Sequence, residues 1–157
     1  VVRAPPPPRS SLLIHMQIRL ATIKEYDDLH RIRMSVRENA LLNPAAVTFE
    51  HYREMLESRG RGWVCEIDGR PVGFAIGDLK DSNIWALFVE AGHEGRGVGR
   101  ALHDVMVAWL FSQGATRLWL STDPNTRAER FYQRAGWRCT GLTESGEARY
   151  ELNACSV

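Results

Sequence analysis

The spacing of apolar residues changes along the chain in steps that predict alternating strands and helices. From Met16 to Ala21 polar and apolar residues alternate, as in a half-buried strand. From Ile23 to about Val36 the spacing is closer to 3.6 residues, which predicts an amphipathic helix. A second helix is predicted from Thr48, whose hydroxyl can cap the first turn, to Gly60. One strand and two helices therefore open the predicted fold.

Three strands are predicted next, and they should form the middle of a sheet. They cover Trp63 to Ile67, Val72 to Leu79 and Ile84 to Val89. The first two are joined through Asp68-Gly69, a dipeptide that favours tight hairpins. The third strand is apolar on both faces, which is typical of a central strand covered on each side.

The last part of the chain alternates again between helix and strand. We expect a helix from Gly99 to about Ser112, a strand from Thr116 to Ser121, a helix from Asn125 to Ala135, and a hairpin of strands Trp137 to Leu142 and Ala148 to Leu152. The predicted order is β-α-α-β-β-β-α-β-α-β-β. It indicates an α/β fold of the mixed α+β kind, with a mostly antiparallel central sheet flanked by helices.

Length and composition limit the classes of protein. The chain has 157 residues, 44% of them hydrophobic, which suits one domain over residues 16–157. Residues 1–15 contain four consecutive prolines and are expected to form a disordered leader or extension, with a proline-rich partner ligand as the alternative. The formal net charge is +1, so neither a nucleic acid nor a membrane surface is an expected partner.

The cysteines and apolar runs add two expectations. Cys65, Cys139 and Cys155 are odd in number and far apart, which argues against a disulfide framework or a zinc site. No metal is expected, and a cytoplasmic location fits best. No apolar run approaches the roughly 18 residues of a membrane span.

A glycine-rich turn stands between the predicted central strand and the helix that follows it. Glu94-Gly95-Arg96-Gly97-Val98-Gly99-Arg100 places glycines at alternate positions beside two arginines. Unpaired N–H groups at a helix N-terminus attract anions, and glycine lets a phosphate approach the backbone. An ordinary tight turn is the alternative.

Two nucleotide-binding motifs can be excluded at this turn. A P-loop needs Lys followed by a hydroxyl residue, but Arg100 is followed by Ala101. A dinucleotide fingerprint would require glycine at position 100 or 102, where Arg100 and Leu102 stand.

The turn resembles the coenzyme-binding turn of the GCN5-related N-acetyltransferase family, [Gln/Arg]-x-x-Gly-x-Gly/Ala, except that Glu94 replaces Gln or Arg. A second segment, Asn125-x-x-Ala128-x-x-Phe131-Tyr132-x-x-x-Gly136-Trp137, resembles a later motif of that family. The element order matches as well, over Met16 to Leu152. The resemblance implies the acyl-CoA N-acyltransferase fold, with acetyl-CoA as co-substrate. It implies that acetyl-CoA is bound by Phe88, Val89, Glu94, Gly95, Arg96, Gly97, Val98, Gly99, Arg100, Asn125 and Tyr132.

The resemblance also suggests catalytic roles. Tyr132 is expected near the sulfur, where it can protonate the departing thiolate, and the backbone N–H of Phe88 or Val89 is expected to stabilise the oxyanion. The strand before the turn is expected to splay from its neighbour. A group that deprotonates the amine is also required, and Glu90, Glu38, Asp78 and Asp123 are the carboxylates that we consider. Glu38 could instead recognise a substrate cation or form a solvated helix end.

The main hypothesis is an acetyl-CoA-dependent N-acetyltransferase that acts on an amine of a small molecule or a peptide. One alternative is a non-catalytic acyl-CoA sensor on the same fold, and another is a partner-binding domain whose turn is empty. A homodimer is compatible with the resemblance. His103 is expected on the surface or in packing, and His93 beside the phosphates.

Overall fold

The computed structural model describes residues 15–155, so the predicted leader up to residue 14 lies outside the described residues. The strands are β1 (Met16–Ala21), β2 (Gly60–Ile67), β3 (Arg70–Asp78), β4 (Asn83–Val89), β5 (Arg117–Thr122), β6 (Arg138–Leu142) and β7 (Ala148–Asn153). The α-helices are α1 (Tyr26–Ser35), α2 (Phe49–Glu54), α3 (Val98–Ser112) and α4 (Arg127–Arg134). The predicted order of elements is confirmed.

The strands form one seven-stranded sheet in the order β1-β2-β3-β4-β5-β7-β6. Neighbouring strands are antiparallel except β4 and β5, which are parallel. Within the described residues, β4 and β5 share a single registered pair, Asn83 with Trp119. The expectation of a mostly antiparallel sheet is therefore confirmed. The parallel neighbours β4 and β5 diverge from each other beyond this pair.

Helices cover both faces of this sheet. Leu102, Met106 and Leu110 of α3 are completely buried against one face, in a cluster that includes Tyr132 of α4. Leu29 and Ile32 of α1 are buried against the other face, together with Tyr52 of α2. Because successive side chains of a strand point to opposite faces, the apolar residues of the central strands supply both cores.

A capping side chain and a close contact between two backbone segments determine where α4 and β2 begin. Thr126 caps α4 by accepting a hydrogen bond from the N–H of Glu129, so the prediction that this helix begins at Asn125 was wrong. Gly60 already belongs to β2, ahead of the predicted start at Trp63. A Cβ at Gly60 would lie 1.7 Å from the carbonyl oxygen of Gly77, so only glycine fits there.

Two other departures lie around the helices. Ile23–Glu25 forms a 3-10 turn ahead of α1, and α2 continues as a π-helix over Met55–Arg59. No helix in residues 15–155 is long and apolar enough to cross a bilayer.

Candidate functional site

The separation of β4 from β5 opens a cleft at the C-terminal end of β4. Beyond the pair of Asn83 with Trp119 the two strands are no longer in register, and a cleft of about 880 Å³ lies beside Leu87, Phe88 and Val89. The expected splay at this strand is therefore present. The other lining residues come from four segments: Val36 to Asn39, the turn from Ala91 to Gly95 with Gly97, the first turn of α3 (Val98, Gly99 and Arg100), and α4 (Arg127, Ala128, Phe131, Tyr132 and Arg134).

Backbone direction distinguishes the two residues expected to stabilise an oxyanion. The N–H of Glu90 donates to the carbonyl of Val72 at 2.7 Å, so this N–H points toward β3. Since backbone groups alternate along an antiparallel strand, the N–H of Phe88 also points toward β3. The N–H of Val89 has the opposite orientation to that of Phe88, so it points away from β3 and toward the cleft. Val89 is therefore the better donor of the two.

The glycine-rich turn leads directly into α3. Gly97 is the N-cap residue of α3 with φ of +83°, and Gly95 has φ of +75°. Both values lie in the left-handed region, where any residue with a Cβ is strained. No side chain of the described residues caps this helix, and the first N–H that bonds within it is that of Ala101, to the carbonyl of Gly97. The N–H groups of Val98, Gly99 and Arg100 are left to an anion in the cleft.

More arginine than glutamate side chains line the cleft around this turn. The arginines Arg37, Arg100, Arg127 and Arg134 line the cleft, whereas Arg96 lies outside the lining. Arg100 also pairs with Asp104 at 3.1 Å. Four cationic side chains against the carboxylates of Glu38 and Glu94 favour a polyanionic ligand.

Glu94 stands where the family motif has Gln or Arg, and its carboxylate faces the turn. Its Oε2 accepts a hydrogen bond from the N–H of Gly92 at 2.8 Å. Bonds from its own N–H and from that of Gly92 lower the pKa of the carboxyl group. Glu94 therefore places a negative charge beside the helix end that would bind an anion.

Tyr132 lies on the opposite wall of the cleft. Its ring is 6% exposed and packs edge-on against Phe131 and Trp137. Burial raises the pKa of Tyr132 above its ordinary value, with no hydrogen bond opposing the shift. The hydroxyl group therefore keeps its proton and is available to a ligand in the cleft.

Glu90 does not line the cleft, and it is held in an ion-pair network. Its Oε1 accepts hydrogen bonds from Arg31 and, at 2.8 Å, from Arg70. Burial would raise the pKa of Glu90, but the bonds from these two arginines outweigh it and lower the pKa. Such a carboxylate is a weak base, and its position ties α1 to the end of β4.

Two further carboxylates also lie outside the lining. Asp78 is 2% exposed, pairs with Arg59 at 2.8 Å, and stands opposite Asn83 at the start of β4. Phe88 stands five positions after Asn83, which is about 17 Å along the strand. Asp123 is exposed and donates its backbone N–H to Asn39 at 2.8 Å.

Of the four carboxylates that we considered, Glu38 lines the cleft. Its Oε2 accepts from the backbone N–H of Arg127 at 2.7 Å, at the start of α4. The neighbouring Asn39, with φ of +54°, accepts from Asp123 and from the hydroxyl of Thr122 through Oδ1. The loop after α1 is thereby fastened across the cleft to the segment between β5 and α4.

A match to a family model decides the assignment of this cleft. The model of the acetyltransferase (GNAT) family matches residues 26–137, more than half of the chain. This chain belongs to the GNAT family. The matched region includes β4, the glycine-rich turn and α4, which together build the cleft.

Relatives of this GNAT chain match it over shorter regions. It is 37% identical over 78 residues to an uncharacterized N-acetyltransferase of Mycobacterium tuberculosis, covering 47% of this chain and 50% of that protein. It is 34% identical over 70 residues to the L-2,4-diaminobutyric acid acetyltransferase of Nocardia farcinica, covering 41% of this chain and 36% of that enzyme. The matches thus span half or less of these curated relatives.

The fold extends over nearly the whole chain. The PaiA N-acetyltransferase of Thermoplasma acidophilum, solved in complex with coenzyme A, has a TM-score of 0.75 at 12% identity, covering 90% of this chain and 100% of that one. This likeness confirms the acyl-CoA N-acyltransferase fold predicted from the sequence.

The GNAT cleft has features that suit acetyl-CoA, the co-substrate of this family. Uncapped N–H groups at α3 suit the pyrophosphate, and the free edge of β4 can bond the pantetheine amides as an added strand would. Asn125, expected among the binding residues, is exposed outside the lining, and its N–H bonds Glu129 at 3.1 Å.

Several lining residues were not predicted. Arg127, Phe131 and Arg134 of α4 line the cleft at helical spacing, so the period of this helix could have shown that they share one face. Asn39 carries no such signal, because its partners lie more than eighty residues away.

His103 is 3% exposed, so of the two predicted environments it occupies the packed one. Its Nε2 accepts from Nε1 of Trp137 at 2.9 Å, and Nδ1 contacts Asp104. His93 lines the cleft beside the turn.

Proposed function

We propose that this protein transfers the acetyl group of acetyl-CoA to an amine. One observation carries the proposal: the N–H groups of the uncapped α3 N-terminus, the N–H of Val89 and the hydroxyl of Tyr132 all border one cleft. Anion binding, oxyanion stabilisation and proton donation are three of the requirements of acyl transfer from a thioester to an amine.

Each group has a distinct part in the proposal. Acetyl-CoA supplies an activated acyl group when bound. Val98, Gly99 and Arg100 hold its pyrophosphate through backbone N–H groups, with Arg127 and Arg134 as cationic neighbours. The N–H of Val89 donates to the oxygen on which negative charge develops. Tyr132 holds a proton at Oη for the departing sulfur.

Glu38 is the candidate base for the amine. Its Oε2 bonds the N–H of Arg127, and Oε1 has no such bond among the described residues. The carboxylate therefore can accept a proton directly or through water while it also fixes the loop. If Glu38 is the base, Glu38→Gln should lower kcat/KM by about a hundredfold, and an unchanged kcat/KM excludes it.

Two measurements test the function. Acetyl-CoA should raise the melting temperature, whereas ATP or NADH at equal concentration should not, because the cleft lacks their binding motifs. Release of CoA should then follow on addition of one member of a panel of amino acids, polyamines, aminoglycosides and peptides. Absence of a thermal shift, or a shift without turnover of any amine, would contradict the proposal.

The name of the Nocardia farcinica enzyme supports including diaminobutyric acid in the panel. A cytoplasmic location and a homodimer stay predictions from the sequence.

A further inference from the structure

Arg33 is a half-buried cation without a polar partner among residues 15–155. It lies on α1, with its guanidinium carbon 4.2 Å from the centroid of the Phe88 ring. Its Nη1 is buried, and no acceptor within residues 15–155 lies at hydrogen-bonding distance from that atom. Burial lowers the pKa of this guanidinium, and no hydrogen bond to a carboxylate opposes the shift. Burial of a guanidinium without a partner is unfavourable in free energy, so binding of an external anion would reduce that cost.

Other arginines of the same region are satisfied. Arg31, on the same helix, binds Asp28 and Glu90 and also donates to the carbonyl of Pro71. Arg53, on α2, binds Glu50. The absence of a carboxylate at Arg33 is therefore a local feature and not a general shortage of acidic residues around α1.

A second hydrogen-bond donor belongs to the cluster against which Arg33 packs, because Tyr52 and Phe88 lie in the same apolar core. Burial raises the pKa of Tyr52 to about 12, and the charge of Arg33 opposes that rise. The Tyr52 ring is 1% exposed and fixed edge-on by Tyr26 and Trp85. A neutral hydroxyl and a fixed guanidinium form a pair of donors suited to a carboxylate.

Arg33 and Tyr52 do not line the cleft themselves, but two residues next to Arg33 do. Phe88, on whose ring Arg33 lies, lines the cleft, and so does Val36, three residues after Arg33. The backbone N–H of Ala91 donates to the hydroxyl of Ser35 at 3.1 Å, which fixes the end of α1 beside the end of β4. An anion bound by Arg33 would therefore lie beside the segment where the amine must meet the acetyl group.

We propose that Arg33, assisted by Tyr52, binds the carboxylate of the acceptor, so that the preferred substrate is a small amine of the amino-acid type. This inference rests on the proposed function and names its acceptor class. A guanidinium can bond both carboxylate oxygens, which would orient the amine toward Val89. A small molecule fits better than a protein surface, because Arg33 is half-buried and set back from the residues that line the cleft.

The test uses matched acceptors with the full chain. Initial rates are measured for diaminobutyric acid, ornithine and lysine, each beside its α-carboxamide and its decarboxylated diamine. With the natural sequence, kcat/KM should be about tenfold or more higher for one of these acids than for its two counterparts.

Variants then assign the preference to a residue. Arg33→Gln should lower kcat/KM for that acid by about tenfold to hundredfold, mainly through KM, while the carboxamide and the KM for acetyl-CoA change little. Arg33→Lys should restore part of the loss, and Tyr52→Phe should give a smaller loss of the same kind. Arg53→Gln, next in sequence to Tyr52 but exposed, is the matched control and should leave all rates unchanged.

Each contrary outcome has a distinct meaning. Equal rates for acids and carboxamides, or turnover of peptides alone, would overturn this inference and leave the proposed function intact. An equal loss for all acceptors in Arg33→Gln, together with a lower melting temperature, would show a structural role and also overturn it. If no amine releases CoA, the proposed function fails first and this inference with it.

Discussion

The Tyr132 hydroxyl has no hydrogen-bond partner in the described part of the chain, unlike Tyr150, the other buried tyrosine of its core cluster. We expect Tyr132→Phe to lower kcat by about a hundredfold or more, because general acid catalysis contributes that much, while the KM for acetyl-CoA changes little. Burial raises the pKa of the phenol, and the same burial makes the departing thiolate more basic, so proton transfer stays feasible. Steady-state kinetics measure the effect.

The matched control is Tyr150→Phe. The Tyr150 hydroxyl donates to Glu129 and accepts from Gln133, each at 2.9 Å, so its removal should destabilise the fold and leave kcat unchanged. Unchanged turnover in Tyr132→Phe would exclude the acid role.

Glu94 places a charge of the wrong sign beside the anion site. We expect Glu94→Gln to lower the KM for acetyl-CoA a few-fold, because the amide keeps an oxygen for the N–H of Gly92 but removes the repulsion between carboxylate and pyrophosphate. The gain should shrink as salt is added. Glu57→Gln, an exposed site on the π-helical segment, serves as the control. A higher KM would mean that the carboxylate contributes to binding.

At the scale of the element, the glycine turn can be tested separately from its effect on folding. Gly97 and Gly114 flank α3, both have positive φ, and a Cβ at either would meet nothing within 4 Å. Alanine at either position should lower the free energy of unfolding by about 1–2 kcal/mol through backbone strain alone. Only Gly97→Ala should also weaken acetyl-CoA binding, since it alters the N-terminus that we propose to hold the phosphate. Denaturant titration and calorimetric binding measure the two effects, and equal affinities would contradict the assignment.

Local patterns predicted the elements well and their contacts poorly. The apolar run from Ile84 and the glycines after it were enough to predict a central strand, a turn and a helix, since those signals lie within a few residues. Asn125 misled the prediction because Thr126, also a good cap, follows it and has the capping geometry. The unpaired Arg33 and the loop contact of Glu38 depend on partners set by tertiary packing, so no local spacing reveals them.

At the scale of the whole molecule, His103 joins three parts of the fold. It stands on α3, its Nε2 accepts from Trp137 just after α4, and its ring packs edge-on against Phe131 of α4. Since Nε2 is the acceptor, the proton sits on Nδ1 and faces Asp104. A second proton on the ring would break the bond to Trp137.

This geometry predicts how stability depends on pH. Burial lowers the pKa of His103 below the ordinary value of about 6.5, and Arg100 acts in the same direction, while Asp104 opposes both. The unfolded chain therefore takes up a proton that the folded chain resists, so this stabilisation is complete above about pH 6.5 and is lost as the pH falls below it. The free energy of unfolding should decrease by up to about 1.4 kcal/mol per pH unit in that range.

Urea unfolding between pH 5.5 and 8, with and without His103→Gln, measures this contribution. The glutamine oxygen can accept from Trp137 but does not titrate, so the variant should have a shallower dependence on pH below 6.5. Equal slopes for His103→Gln and the natural sequence would mean that the pH dependence arises elsewhere. The hydrogen bond between Trp137 and His103 would then stabilise the fold without contributing to its pH dependence.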